Sequence, residues 1–279
     1  MRHDASPTPI NEPSIGVFDS GVGGLSVLRA LRSALPGATF RYVADSAHAP
    51  YGERSNAYVI ERSLCIAREL RAQGVTLLVV ACNTATAAAV DTLRATWPDM
   101  PIVGIEPGIK PALALTRNGR IGVMATRATL ASERFAALLR AQCSAAGVQV
   151  QVQVHIHLQA CDGLAAAIER GDPDAADVRT NVALHAGALR AQGVDTVVLG
   201  CTHYPLAGHH IQAALGESVR LVDTGAAVAR EVLRCWQGSP STQPALHLQT
   251  TGDASAFGAI ARRWLGADQP VTATAFTAR

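Results

Sequence analysis

The chain is poor in several features that would assign it to a common class of protein. It has no run near the roughly 20 consecutive apolar residues that a membrane-spanning helix needs, although 48% of its 279 residues are hydrophobic. We therefore predict a soluble protein without a membrane partner. Its single lysine, Lys110, lies in the segment GIKPAL. Because a pyridoxal-phosphate enzyme forms its Schiff base with a lysine, that chemistry is not expected.

Charge and cysteine usage exclude further classes. The formal net charge is only +2, and the basic residues are scattered, so nucleic acid is not expected as a main partner. The six cysteines include no CxxC pair, which favours reduced thiols over a disulfide framework. Residues 1–14 are polar and proline-rich without the apolar core of a signal peptide. We therefore predict a flexible tail at 1–14 and a cytoplasmic location.

An internal repeat is the most informative feature that the chain does have. The block LRAQGV occurs at 70–75 and again at 189–194, and each copy leads through an apolar run to a cysteine, Cys82 or Cys201. The segment IGVFDS at 15–20 is partly repeated as IGVMAT at 121–126. Two similar halves are predicted, each with a thiol at the same point. Such a pair suits chemistry on opposite faces of one carbon.

Short apolar runs alternate along the chain with segments of helical spacing. The predicted strands are 15–20, 40–46, 76–81, 101–105, 121–126, 148–159, 196–200 and a run near 245–252. The predicted helices are 25–35, 55–74, 84–96, one beginning near 110, 127–142, one around 162–170, 175–192, one ending near 236 and 254–265. This alternation predicts an α/β fold with two similar three-layer domains and mainly parallel sheets. Polar turns that follow the strands are expected to meet in a cleft between the domains.

Cys82 follows a buried strand and precedes a helix, where the positive helix end favours a thiolate. A plain buried cysteine is the competing interpretation for one such residue, but the repeat at Cys201 argues against it. His203 lies two residues after Cys201 and is a candidate acid, base or thiolate partner. A turn histidine that bonds the backbone is the alternative. No HxxxH or CxxC accompanies the pair, so no metal site is predicted.

The turn Asp19-Ser20-Gly21-Val22-Gly23-Gly24 offers a carboxylate, a hydroxyl and unhindered amides at a helix start, which can hold a carboxylate or phosphate. With Asp45 about 20 residues further on, it imitates a dinucleotide fingerprint, but the third glycine is replaced by Ser26. Neutral hydrogen-bonding residues lie near other helix starts, where N-capping is an alternative role. They are Asn83, Thr84, Thr129 and Thr202. The loop at 50–52 either covers the cleft or is a surface turn.

Taken in order, these motifs resemble the cofactor-independent glutamate racemases of the aspartate/glutamate racemase superfamily. The matching segments are FDSGVGGLSV (18–27), PYG (50–52), ACNTAT (81–86), GIEPGIKPA (104–112), TRAT (126–129), GCTHYPL (200–206) and TGD (251–253). The resemblance implies interconversion of L- and D-glutamate for peptidoglycan synthesis, with no cofactor. It also implies a homodimer and a split architecture. The expected domains are 15–112 plus 223–279, and 113–222.

The resemblance also implies roles for individual residues. Cys82 would deprotonate D-glutamate with help from Asp19, and Cys201 would deprotonate L-glutamate with help from His203. The expected substrate-binding residues are Ser20, Pro50, Tyr51, Gly52, Asn83, Thr84, Thr129 and Thr202. One segment departs from the family pattern. The family often has Cys-Pro before an apolar run ending in Glu, whereas this chain has CDGLAAAIERG at 161–171, which leaves a supporting role for Glu169 in doubt.

Three alternatives stay open at this point. An aspartate racemase is the nearest, although GCTHYPL and DSGVGG together disfavour it. The others are a nucleotide-binding oxidoreductase and a non-catalytic amino-acid binder.

Overall fold

The computed structural model describes residues 13–146, 153–266 and 269–276. Its first half alternates strands and helices from the start. The elements are β1 (Ser14–Asp19), α1 (Leu25–Ala34), β2 (Thr39–Ala44), α2 (Asn56–Ala72), β3 (Val75–Val80), α3 (Asn83–Thr96) and β4 (Ile102–Gly104). The four strands are parallel and lie side by side in the order β2-β1-β3-β4.

The second half repeats this order. Its elements are α4 (Ile109–Leu115), β5 (Arg120–Ala125), α5 (Arg127–Leu130), α6 (Glu133–Ala146), β6 (His155–Ala160), α7 (Leu164–Glu169), α8 (Ala176–Ala191), β7 (Thr196–Leu199), α9 (Gly208–Leu215) and β8 (Arg220–Val222). They form a separate parallel sheet in the order β6-β5-β7-β8. The repeat in the sequence is therefore a repeat of topology, because β1 corresponds to β5 and β3 to β7.

The C-terminal elements extend the first sheet rather than the second. They are α10 (Gly225–Cys235), β9 (Leu246–Thr250), α11 (Ala254–Leu265) and β10 (Val271–Ala273). β9 pairs in parallel with β2, and β10 pairs with β9, which gives a sheet of six strands. The predicted α/β fold with two mainly parallel sheets is confirmed.

Helices cover both faces of each sheet because the strands are apolar on both faces. In β7, Val197 packs into the core under α7, α8 and α9, whereas Val198 packs on the opposite side with residues of α4 and α6. The larger core cluster also contains Ile15 and Val17 of β1. One apolar core therefore continues from the first sheet to the second.

The expected domain boundary after residue 112 falls inside α4, whose buried residues Ile109, Ala112 and Leu113 pack with Ile121 and Val123 of the second sheet. The chain leaves the first sheet before this helix starts. After the expected boundary at 223, α10 packs on α1 of the first half. The domain division as a whole stays a prediction.

Two predictions about elements of the chain need correction. The helix predicted at 127–142 is two helices, because Ser132 ends α5 by donating to the Thr129 carbonyl and accepts from the Phe135 amide at the start of α6. The predicted tail at 1–14 includes Ser14, which is buried in β1. Residues 1–12 of that tail, and 148–152 of the predicted strand 148–159, lie outside the described residues.

Within the part of the chain that the structure describes, no helix combines the length and apolarity required to cross a membrane.

Candidate active site

The polar turns predicted to form a site follow the carboxyl ends of β1, β3 and β7. Asp19 is the last residue of β1, and Cys82 lies between β3 and α3. Cys201 follows β7 in the second sheet. Cys82 is 5% and Cys201 is 7% exposed, so both residues are buried. The topology therefore brings one buried cysteine from each sheet to the cleft.

Cys82 is the N-cap residue of α3, and its surroundings favour the uncharged thiol. Its sulfur accepts from the Ala85 amide at 3.5 Å and donates to the Ser20 hydroxyl at 3.7 Å. Burial raises the pKa of the Cys82 thiol well above its usual range, and the nearby Asp19 carboxylate raises it further. The hydrogen bonds with the Ala85 amide and the Ser20 hydroxyl lower that pKa by too little to compensate. The surroundings of Cys82 therefore favour its protonated, neutral thiol form.

Asp19 links the glycine turn to the second sheet. Its carboxylate accepts from the Ser20 amide at 2.8 Å and the Gly24 amide at 2.6 Å. The Thr202 hydroxyl, from the turn after β7, donates to the same carboxylate at 3.3 Å. Complete burial raises the pKa of Asp19, His203 lowers it and Glu169 raises it. Asp19, in the first half, thus responds to charges of the second half across the cleft.

Cys201 lies at one end of a chain of three side chains. Its sulfur is 3.8 Å from His203 Nδ1, and Nε2 of the same ring is 2.6 Å from Glu169 Oε2. Burial lowers the pKa of His203, but hydrogen bonds to Cys201 and Glu169 outweigh it, so the pKa lies well above its usual value. The hydrogen bonds to Cys201 and Glu169 therefore favour the cationic form of the imidazole.

The structure places Glu169 at the centre of this group, although the sequence left its role in doubt. Besides His203, its carboxylate accepts from the Val22 amide at 2.9 Å and from the Ser46 hydroxyl at 2.8 Å. The sequence signal was its position at the end of the apolar α7, which faces the core through Leu164, Ala167 and Ile168. The altered residues before that helix do not move its last residue away from the cleft.

The glycine turn holds protein carboxylates, not the phosphates of a dinucleotide fingerprint. The Gly24 amide donates to Asp19 and the Val22 amide to Glu169. An added Cβ at Gly21 would lie 2.1 Å from a Glu169 oxygen, and one at Gly23 would lie 2.4 Å from His203 Nδ1. Both glycines are required because side chains from the second sheet approach the backbone closely.

Asp45, the other part of the imitated fingerprint, is also occupied. It is fully buried and forms a two-point ion pair with Arg62, at 3.0 and 2.8 Å. It also accepts from the Tyr51 hydroxyl at 2.6 Å and from the Thr251 hydroxyl at 2.9 Å. This network fixes the 50–52 loop to α2 and to the turn after β9. The loop is an anchored part of the cleft and not a free surface turn.

Neutral polar groups complete the cleft. Pro50 precedes a short 3-10 turn at Tyr51–Glu53, and an added Cβ at Gly52 would lie 3.0 Å from the Thr126 side chain. The hydroxyl of Thr126 lies 3.0 Å from that of Thr84 and 2.9 Å from that of Thr129. Thr126 was not among the predicted site residues, and its signal was the TRAT segment that contains it.

Asn83 is the clearest sign that a polar ligand belongs here. It is 5% exposed, and neither its amide nitrogen nor its amide oxygen has a hydrogen-bond partner among the described residues. A buried amide without partners is costly, so such a group is typical of a binding site. A cavity of about 340 Å³ is lined by Asn83, Cys201 and Thr202, together with residues of α1 and the start of α10.

Two buried thiols beside acid–base partners in a polar cleft are typical of an amino-acid racemase, and the similarities to known proteins agree with that class. The family model for Asp/Glu/hydantoin racemases matches residues 15–232. The chain belongs to this family. Its similarity to known glutamate racemases assigns it to that group within the family.

A curated glutamate racemase of Ectopseudomonas mendocina is 49% identical over 224 residues, which are 80% of this chain and 82% of that protein. The crystal structure of a glutamate racemase isoform from Bacillus anthracis is similar at a TM-score of 0.82 and 33% identity, covering 94% of this chain and 97% of that one. The Escherichia coli glutamate racemase, solved with L-glutamate and an activator, UDP-MurNAc-Ala, has a TM-score of 0.74 and 31% identity. It covers 91% of this chain and 95% of its own.

Proposed function

We propose that the protein interconverts L- and D-glutamate without a cofactor, one cysteine removing the α-proton while the other adds a proton to the opposite face of the same carbon. The observation that carries this proposal is the pair of buried cysteines after the equivalent strands β3 and β7, each with its own polar partners. Glutamate as substrate is supported by the similar racemases. Two thiols on opposite faces of the α-carbon would let one remove a proton while the other donates one.

The free protein is prepared for one direction of this reaction. The pKa of His203, beside Cys201, lies well above its usual value, and so does the pKa of the Cys82 thiol. With L-glutamate bound, the Cys201 thiolate takes the α-proton, and the electron pair left on the carbon takes the proton of the Cys82 thiol. The product is D-glutamate, with Cys201 as thiol and Cys82 as thiolate. Reaction of D-glutamate runs through the same steps reversed, with Asp19 close to Cys82.

Substrate binding falls to the neutral groups of the cleft. In this proposal Asn83, Thr84, Thr129 and Thr202 hold the polar ends of glutamate, and Ser20 with the loop Pro50-Tyr51-Gly52 completes the contacts. The unpartnered Asn83 amide supports this assignment. Because these groups are uncharged, they bind carboxylates without adding another fixed charge next to the sulfurs.

The biological setting is also part of the proposal. D-glutamate is a building block of peptidoglycan, so the protein would act in the cytoplasm as a cell-wall enzyme. We further propose a homodimer. Light scattering on the purified protein tests this last point, and a single mass near the 29.1 kDa of one chain at assay concentration would contradict it.

Exchange in D₂O tests the reaction itself. Incubation with L-glutamate should give loss of optical rotation together with deuterium at the α-carbon, measured by polarimetry and mass spectrometry. Folded protein that changes neither quantity would refute the racemase. L-aspartate in the same assay separates the two closest substrates, and we expect it to react far more slowly.

Three variants test the two-thiol assignment. Cys82→Ala and Cys201→Ala should each abolish racemisation, because each removes one of the two proton carriers. Cys143→Ala, at an exposed cysteine on α6, is the matched control and should keep full activity. Either active-site variant with undiminished racemisation would refute the mechanism while leaving the substrate assignment intact.

A further inference from the structure

We propose that Asp174, His209 and His210 form a binding site for a divalent transition-metal ion of the Zn²⁺ type, separate from the two cysteines. Nε2 of His209 and Nε2 of His210 each lie 2.9 Å from the same oxygen, Oδ1 of Asp174. One ligand atom from each residue lies within 4.8 Å of the other two. Nothing in the sequence indicated this group, because Asp174 precedes the histidines by 35 and 36 residues.

The donor types and spacing fit this class of ion. Zinc binds imidazole nitrogen and carboxylate oxygen at about 2.0–2.2 Å, so tetrahedral ligands are separated by about 3.4 Å. An ion entering between the three side chains would need to widen the 2.9 Å contacts by only about half an ångström. The side chains of His209 and Asp174 are 58% and 47% exposed, so they have room to adjust. Solvent can supply the fourth ligand.

The three groups are mounted on ordered elements. The histidines are consecutive residues in the first turn of α9, with ring centroids 3.9 Å apart. Asp174 lies in the turn between α7 and α8, where its amide donates to the Asp172 carboxylate at 3.0 Å. Folding therefore already removes part of the side-chain conformational entropy that metal binding would otherwise cost.

Arg263 orients the carboxylate without blocking it. Its guanidinium donates to Oδ2 of Asp174 at 2.8 Å, which leaves Oδ1 directed at the imidazoles. The charge of Arg263 is offset by Asp172, 3.7 Å away. A metal-ligating carboxylate is commonly held in this way by a second partner.

The position of the site gives it a structural role. Asp174 and the histidines belong to the second half, whereas Arg263 lies on α11, which packs with the first sheet. The turn that carries Asp174 begins directly after α7, whose last residue is Glu169. A bound ion would tie this turn to α9 at the junction of the two halves.

Metal titration of the whole protein tests the proposal. Isothermal titration with Zn²⁺ should show one ion bound per chain, and Co²⁺ should give the visible absorption of a four-coordinate complex that Zn²⁺ removes. An excess of Mg²⁺ should not compete, because it prefers oxygen ligands. Co²⁺ absorption that Mg²⁺ abolishes, or no ion bound at all, would overturn the proposal.

Four single variants locate the ion. His209→Ala, His210→Ala and Asp174→Asn should each weaken Zn²⁺ binding by at least about tenfold. His155→Ala, which removes an exposed histidine of β6, is the control and should bind as the unaltered protein does. Thermal unfolding followed by circular dichroism should show Zn²⁺ raising the melting temperature of the control and not of the three variants. Unchanged affinity in both histidine variants would place the ion elsewhere, for example on thiols, and refute the site.

Discussion

Both ring nitrogens of His203 have a side-chain partner, Cys201 at Nδ1 and Glu169 at Nε2, and these two contacts control the charge of the ring. Without them, burial would favour the neutral imidazole. Hydrogen bonds to Glu169 at 2.6 Å and to Cys201 at 3.8 Å outweigh burial and raise the pKa of His203, which favours the cation. The protonation state of His203 therefore depends on a carboxylate 34 residues away in sequence.

Replacement of this carboxylate should change both the rate and its pH dependence. Glu169→Gln removes the negative charge that raises the pKa of His203, so that pKa falls and the cationic form is lost at lower pH. We expect the alkaline limb of the kcat/KM profile with L-glutamate to move to lower pH. We also expect kcat to fall about 10- to 100-fold, the worth of one charge-assisted hydrogen bond.

The control for this prediction is Glu133→Gln, because Glu133 is almost fully exposed on α6. It should leave both the rate and the pH profile unchanged. A Glu169→Gln variant with lower kcat and an unmoved profile would mean that Glu169 acts on structure alone and not on the charge of His203.

At the scale of single elements, glycines in different surroundings should respond oppositely to the same substitution. Gly187 lies within α8, and an added Cβ would have no atom within 4 Å. Gly187→Ala should therefore raise the free energy of unfolding by about 0.5–1 kcal/mol, since alanine loses less backbone freedom. Urea denaturation measures it.

Gly16→Ala is the matched comparison in a strand. An added Cβ there would lie 2.8 Å from Cγ1 of Val75, in the buried core beside β3. Gly16→Ala should therefore lower the free energy of unfolding. A higher free energy of unfolding for Gly16→Ala, or a lower one for Gly187→Ala, would contradict the packing described for these elements.

The elements that sequence patterns predicted well are those with long periodic or wholly apolar runs, such as α2 and β3. The break between α5 and α6 was missed because Ser132 interrupts the helix through hydrogen bonds, which hydrophobic spacing does not register. β8 and β10 were not predicted, since each has three residues and depends on a neighbouring strand for its hydrogen bonds. Short edge strands are determined by tertiary pairing more than by their own residues.

At the scale of the whole molecule, the C-terminal segment closes the first half. Phe276 is 8% exposed and belongs to the core cluster between the first sheet and α2, and its carbonyl accepts from Arg62 at 2.9 Å. Phe276→Ala should lower the free energy of unfolding by about 3–5 kcal/mol, as for other buried aromatic residues. Chemical denaturation followed by fluorescence gives the value.

Leu184→Ala provides the comparison, because Leu184 is 67% exposed on α8. Its effect should stay within about 0.5 kcal/mol. Equal losses in the two variants would show that the C-terminal segment contributes nothing specific to the core.

The site could be predicted only as far as each half could be interpreted alone. The two cysteines, Asp19 and His203 follow from local motifs, and the structure brings their side chains to one cleft. The contacts of Glu169 with Val22 and Ser46 connect different halves across more than 100 residues. No periodicity or spacing within one half contains that information.

Hydrogen bonds across the cleft couple the relative position of the two halves to the arrangement of the catalytic groups. Val22 and Ser46 hold Glu169, and Thr202 holds Asp19, each from the opposite half. Parting the halves far enough to exchange ligand would break these bonds and hydrate the two sulfurs. Catalysis would therefore be confined to the closed arrangement, in which these bonds are intact and both cysteines are buried.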